Sequence, residues 1–123
     1  MTIILERYPL PTTGPLRLNV TIEANIKIPA DEAQKAVSRR LFKDVSYLLW
    51  GETPSLVVAE RTHWRVPAYI GLVGVGRIGP LATIDVDVET GEMEAITAEL
   101  IAEMRQHVQN YLAGHTPTAT PSS

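Results

Sequence analysis

A chain of 123 residues with 11 Lys and Arg, 14 Asp and Glu, a formal net charge of −3 and no cysteine is held by packing alone, without disulfides or thiolate zinc sites. That length suits one domain burying about two thirds of its unfolded-chain surface, and the mild acidity gives no whole-chain reason to expect nucleic-acid binding. No apolar run approaches the roughly 20 residues of a membrane helix, and the start, MTIILERYPLP, lacks the features of a signal peptide, so a cytoplasmic protein is expected.

Thr2 to Leu5 has the composition of a short strand, but Pro9, Pro11, Gly14 and Pro15 then break the chain. Residues 1–16 are therefore expected to be an irregular arm ahead of a single domain over 17–113. From Leu18 to Ile28 alternation is uninterrupted, with Leu18, Val20, Ile22, Ala24, Ile26 and Ile28 on one face and Asn19, Thr21, Glu23, Asn25 and Lys27 on the other. By period this is the clearest strand of the sequence.

Asp31 follows Pro29 and Ala30, with Gln34 three residues on, which is the pattern of a reciprocal helix cap. Ala33, Ala36, Val37, Leu41, Val45, Leu48 and Leu49 recur at helical spacing, and Gly51 with Pro54 is the expected stop. Lys35, Arg39 and Lys43, with Arg40 beside them, form a basic stripe on the outward side. A solvated face is preferred there over an anion or nucleic-acid contact. Leu56 to Glu60 is a short apolar strand that turns into the next one.

The segment from His63 to Glu92 is expected to be a hairpin. Trp64, Val66, Ala68, Ile70 and Leu72 alternate with polar positions, and Ala82, Ile84, Val86 and Val88 do the same on the return strand. Opposed residues share a face, so even positions pair with even ones, for example Ile70 with Ala82 and Val66 with Val86. Arg65 is then expected near Asp87, and Tyr69 near Thr83. Pro67 donates no ladder bond and belongs at a bulge or where the neighbouring strand has ended.

Gly74-Val75-Gly76-Arg77-Ile78-Gly79 has the glycine spacing of a dinucleotide fingerprint, but Pro80 and an alternating strand follow in place of the helix that motif requires. A long, mobile hairpin loop with Arg77 at its tip is expected instead. Thr97 is a plausible N-cap for a second amphipathic helix carrying Leu100, Ile101, Met104, Val108, Tyr111 and Leu112, ended by Gly114. The polar remainder, 114–123, is expected to be a disordered tail.

The helix, short strand and hairpin ending in Val86-Asp87-Val88-Glu89-Thr90-Gly91-Glu92 resemble a PepSY domain, whose last strand commonly runs into a V-D-x-x-T-G turn. The resemblance covers Pro29 to Met93 and implies a non-catalytic, inhibitory or regulatory module. Such domains are often extracytoplasmic, and this chain departs from them in its leading strand, its glycine-rich loop and its closing helix. It is also similar to short uncharacterised bacterial proteins carrying the same W-x-V-P and V-D-x-x-T-G segments.

Asp85, Asp87 and Glu89 alternate along one strand face, where side chains at i and i+2 project in parallel about 7 Å apart, a poor arrangement for sharing a cation. Asp87 is better suited to accepting amides of its own turn. His63, His107 and His115 have no paired ligand spacing, and Ser38, Ser46 and Ser55 sit in no nucleophile elbow. No catalytic, cofactor-binding or metal-binding residue is therefore assigned, and no cofactor is expected.

The expected fold is α+β, an antiparallel sheet of about four strands with helices on one face, in the order β-α-β-β-β-α. The expected function is a non-catalytic binding or regulatory module with a protein partner or a second copy, a homodimer. Membrane and nucleic-acid partners are not expected. The alternatives are an antitoxin-like protein that contributes its arm, and a small-ligand binder or small enzyme using the polar sheet face and the loop. Arg65, Tyr69, Arg77, Asp85 and Asp87 form the candidate recognition surface. A ligand site requires Arg65, Tyr69, Arg77 and Asp85 to converge on a concave pocket, whereas an interaction module requires a flat apolar or edge-strand surface.

Overall fold

The computed structural model describes residues 1–6, 13–19 and 21–114. The elements in chain order are β1 (Ile3–Leu5), α1 (Ala30–Asp44), β2 (Leu49–Gly51), β3 (Ser55–Val58), β4 (Thr62–Leu72), β5 (Gly76–Asp87) and α2 (Ala98–Gly114). The fold is α+β, with strand, helix, strands and helix in the expected succession. The sheet is mixed and has five strands. β1 runs parallel to β3, with Ile4 beside Val57, and the remaining pairs are antiparallel.

β4 is the central strand because its pattern is uninterrupted from Trp64 to Leu72. β3 lies along Thr62–Arg65 and β2 along Ala68–Ile70 on one side, and β5 follows the other side. Pro67 falls between the stretches held by β3 and β2, so its missing amide breaks no ladder, and its carbonyl accepts from the Glu52 amide at 2.9 Å. The even residues Trp64, Val66, Ala68, Ile70 and Leu72 join Ile84, Val86 and Val88 in one core. Ala33, Val37 and Leu41 of α1 and Met104 and Val108 of α2 close that core from the same face.

The hairpin keeps even against even, but its register is offset from expectation: Val66 faces Ile84, Arg65 faces Asp85, Pro67 faces Thr83, and Ile70 faces Ile78. The offset is set by the turn, which comes earlier than that pairing implies, with Leu72 already opposite Gly76; a bulge, where Gly79, Pro80 and Leu81 stand opposite the single residue Tyr69, then halves it toward the strand ends. A register change by an even number of residues leaves each side chain on its face, so the core is indifferent to it. The long mobile loop is also corrected. β5 already begins at Gly76, opposite Leu72, and only Val73, Gly74 and Val75 turn the chain. Gly74 and Gly76, at φ 82° and 94°, supply the left-handed conformations that this tight connection needs. Arg77 is consequently a strand residue opposite Gly71, not a loop tip.

α1 begins one residue ahead of its expected cap. Pro29, at φ −67° and ψ 159°, is the N-cap, and its carbonyl accepts the Ala33 amide at 3.1 Å. Asp31 therefore lies inside the first turn, where it favours the helix dipole without capping it. Gln34 does not reach back; its amide donates to the Gly51 carbonyl at 3.1 Å, while the Gly51 amide donates to Ser38 Oγ at 2.8 Å. These two α1 side chains cover the outer edge of β2. The helix also ends earlier than its apolar spacing implies. Val45 and Ser46 amides both bond the Leu41 carbonyl, and Leu49 reaches the core from β2. α2 matches expectation at its start, with the Leu100 amide on Thr97 Oγ1 at 3.1 Å.

The largest correction concerns Leu18–Ile28, which forms no strand among the described residues. β4 is occupied on both sides, and the Asp85–Asp87 end of β5 pairs with Glu92–Glu94, which fold back along it. The Lys27 and Ile28 amides bond the Val88 carbonyl at 2.9 and 3.0 Å, and Trp64 Nε1 holds the Ile28 carbonyl at 2.8 Å. Ahead of these anchors the segment runs along the surface with Leu18 42%, Ile22 40% and Ile26 46% exposed. The edge of the short strand Ser55–Val58 offers it no place, because Ile3–Leu5 occupies that edge. The short strand expected from Thr2–Leu5 is thus present, within what the sequence implies to be an irregular arm. The 115–123 tail and residues 7–12 lie outside the described residues.

Candidate functional site

Both helices pack on the even face of the hairpin, which leaves the odd face for polar residues. Alternation places His63, Arg65 and Tyr69 of β4 beside Arg77, Asp85 and Asp87 of β5 on that face. The expected recognition residues therefore share one surface, divided among three separate groups.

In the middle, Arg65 forks onto Asp85, with Nε 3.0 Å from Oδ1 and Nη2 3.3 Å from Oδ2, and its other nitrogen pairs with Glu6 from beyond β1. Asp85 first, and Glu6 second, push the Arg65 pKa further up. His63 Nε2 lies 3.0 Å from Asp85 Oδ2 without the alignment of a hydrogen bond, while Nδ1 is 3.1 Å from the Arg61 carbonyl.

At the turn end of the hairpin, Arg77 pairs with Glu52 at 2.8 Å and lies 5.5 Å from the centre of the Tyr69 ring. Trp50 Nε1 donates to the same Glu52 carboxylate at 2.9 Å. Arg77, then Trp50, lowers the Glu52 pKa. The Trp50 ring covers Gly71, where a Cβ would stand 2.5 Å from a ring carbon. Here the glycine permits the close approach that a side chain would block.

At the opposite end, Asp87 Oδ1 accepts the Glu89 and Thr90 amides at 2.8 and 3.0 Å, and Oδ2 pairs with Arg61 at 2.8 Å. The Thr90 and Glu89 amides, with Arg61, hold the Asp87 carboxyl below its ordinary range. This is the turn role expected from the sequence. Asp85 and Asp87 thus face different partners and share no cation site. Among the described residues no group of three His, Asp or Glu is placed to hold a metal ion.

These pairs set three arginines against four carboxylates, a largely satisfied face. A hollow of about 390 Å³ takes in Asp85 and Asp87 with Arg61 and His63, but Arg65, Tyr69 and Arg77 do not line it. The four residues whose convergence a ligand pocket requires are distributed along the strands. Chemically, the ionised carboxylates Asp87 and Glu52 are depressed in pKa, the opposite of the elevation a general acid needs. The glycine motif opens a strand and leads to no helix, so it lacks the N-terminal amides that hold a pyrophosphate.

Glu6, Trp50 and Glu52 are members of this face that sequence reasoning missed. Glu6 is nearly sixty positions from its arginine, and no local pattern announces such a pairing. Exposed Phe42 and Tyr47 were also missed. Phe42 carried a signal, since it stands outside the apolar stripe of its own helix. No helix among the described residues is long and apolar enough to cross a membrane. Compared with known proteins, the chain matches no family model, no curated protein and no solved structure.

Proposed function

We propose that the chain is a non-catalytic binding module of the cytoplasm, inhibitory or regulatory in its action as the PepSY resemblance implies, and that its partner is a protein. The observation that carries this reading is the surface segment Leu18–Ile28. It keeps a strand's alternation, yet Leu18, Ile22 and Ile26 remain 40–46% exposed, and none of its described residues belongs to a sheet. A segment of that composition gains ladder hydrogen bonds and apolar contacts when it adds to the edge of another chain. A homodimer exchanging this segment is one form of the reading, and an antitoxin-like protein, whose contribution is expected from the arm 1–16 and the tail, is the alternative. The small-ligand alternative is less well supported, because Arg65, Tyr69, Arg77 and Asp85 are committed to ion-pair and ring contacts without a shared pocket.

The test is affinity capture from the native host with the full chain and with a Leu18→Asp, Ile22→Asp, Ile26→Asp variant, alongside sedimentation at several concentrations. The exposed positions leave the far-UV circular dichroism of the variant unchanged. The native chain is expected to capture a protein or to dimerise, and the variant to lose that property. Capture of nothing and a monomer at all concentrations, or equal behaviour of the variant, overturns the reading.

A further inference from the structure

A second surface lies along α1 and the outer side of β2. Lys35, Arg39 and Lys43 are exposed, stand about 6 Å apart along the helix axis, and make no ion pair among the described residues. Elsewhere the pattern differs: Arg61, Arg65 and Arg77 on the sheet face are each neutralised by a carboxylate. Arg17, Lys27 and Arg105 also pair with no carboxylate among the described residues, but only on α1 do three such cations line up on one face, in a chain whose net charge is −3.

Beside the row stand Phe42, the chain's only phenylalanine, at 63% exposure, and Tyr47 at 74%. With Leu49 and Trp50 they line a hollow of about 400 Å³ that also takes in Ser38 and Arg39. A neighbouring hollow of about 470 Å³ shares Ser38, Arg39 and Trp50 and continues to Gln34, Lys35 and Asp31. The two make one groove, aromatic at the Tyr47 end and polar at the other, where Lys35 and Arg39 outnumber Asp31; Lys43 lies on the same helix just outside both linings. Aromatic residues and arginine together are the composition of energetically dominant interface positions.

We propose that this groove docks an acidic amphipathic helix of a partner protein. Apolar side chains of that helix enter between Phe42, Tyr47 and Trp50, and carboxylates four residues apart meet Lys35, Arg39 and Lys43. The proposal rests on the binding-module reading and adds the chemistry of the partner. Charge complementarity selects an anionic occupant, and the four-residue period of the cations is the period at which carboxylates recur on one side of a helix. The stripe is also short, spanning about two helical turns, with Asp31 near one end and Asp44 at the other. A nucleic-acid strand carries its charge past both limits, whereas a helix of a few turns fits between them.

The test selects a surface-displayed library of random helical peptides on the full chain, then titrates the selected peptides while following Trp50 fluorescence. Phe42→Ala and Arg39→Glu, both at exposed positions, are compared with Gln109→Ala on α2 as control. The selected sequences are expected to carry Asp or Glu at four-residue spacing beside aromatic or aliphatic residues. Affinity should fall with added salt and by about tenfold or more in each groove variant, with the control unchanged. Neutral or basic selected sequences, or binding that both groove variants preserve, overturn the proposal. So does occupancy of the groove by a single-stranded oligonucleotide, or by a second copy in a dimer that Phe42→Ala dissolves. If the host capture above succeeds and depends on Leu18, Ile22 and Ile26 but not on Phe42 or Arg39, this inference fails and the binding-module reading stands. Capture of nothing together with a monomer at all concentrations removes the reading itself.

Discussion

Val66→Asp should come close to unfolding the protein, while Tyr69→Asp, three positions along the same strand, should not. Val66 is fully buried in the core beneath α1, with its Cγ1 against Gly51. Losing its burial costs about 1.5–3 kcal/mol. The new carboxyl has no partner there and takes up a proton rather than remain charged, which costs about 4 kcal/mol at neutral pH for an ordinary aspartic acid. Desolvating the protonated group adds about 1–3 kcal/mol. The total is comparable with the roughly 5–15 kcal/mol that keeps a domain folded. Tyr69 lies on the opposite, polar face beside Arg77, so aspartate there stays hydrated near a cation. The expected loss is about 1–2 kcal/mol, from ring packing and the Arg77 contact.

Urea unfolding followed by circular dichroism and tryptophan fluorescence measures both, and with a slope of about 1–3 kcal/mol/M the milder variant moves its midpoint by about 1 M. The buried acid also leaves a signature in pH. Its folded-state pKa is raised, so the folded form of Val66→Asp binds the extra proton and the variant regains stability as the pH falls, by about 1.4 kcal/mol per unit. Tyr69→Asp should show no such recovery. Equal losses at the two positions, or a Val66→Asp penalty independent of pH, would falsify the assignment of faces and with it the side on which both helices pack.

Gly51→Ala should destabilise by about 1–3 kcal/mol in the same melts, because its Cβ would stand 2.7 Å from Val66 Cγ1 and 3.3 Å from the Gln34 carbonyl; an unchanged midpoint would mean that α1 and β2 are less closely packed. Thr97→Ala should cost about 0.5–2 kcal/mol by releasing the Leu100 amide, and Thr97→Ser should restore most of it; failure of the serine to rescue would count against the cap. Asp87 has a depressed folded-state pKa, so its contribution is complete above its ordinary value of 3.8 and is lost as the pH falls through the lower folded value. The urea midpoints of the native chain and Asp87→Ala should therefore differ at neutral pH and converge in strong acid, and a gap that persists there would assign the role of Asp87 to packing.

How far the structure could be anticipated depends on the range of the interaction responsible. The parity of β4 and β5 follows from a period of two along each strand, so Val66 and Ile84 fall on the core face whatever their partners are. Asp87 and Thr97 are equally local: each bonds amides within three residues of itself. These features were written in the sequence because the groups that satisfy them are neighbours in the chain.

Other features needed the assembled molecule. The hairpin offset came from the early turn between Leu72 and Gly76, partly reversed by a bulge at Gly79–Leu81, and the apolar pattern is blind to both. Leu49 has helical spacing but belongs to a strand, since the chain turns at Val45 and Ser46 before the spacing runs out. Gln34 left its expected cap for Gly51, and Arg65 found Glu6, across separations no local rule spans. Leu18–Ile28 is the plainest case. Alternation tells which side chains a strand would bury, but a strand exists only when another backbone accepts its hydrogen bonds, and here the edge of Leu56–Val58 is taken by Ile3–Leu5, the Asp85–Asp87 end of β5 by Glu92–Glu94, and the outer side of β2 by the α1 side chains Gln34 and Ser38.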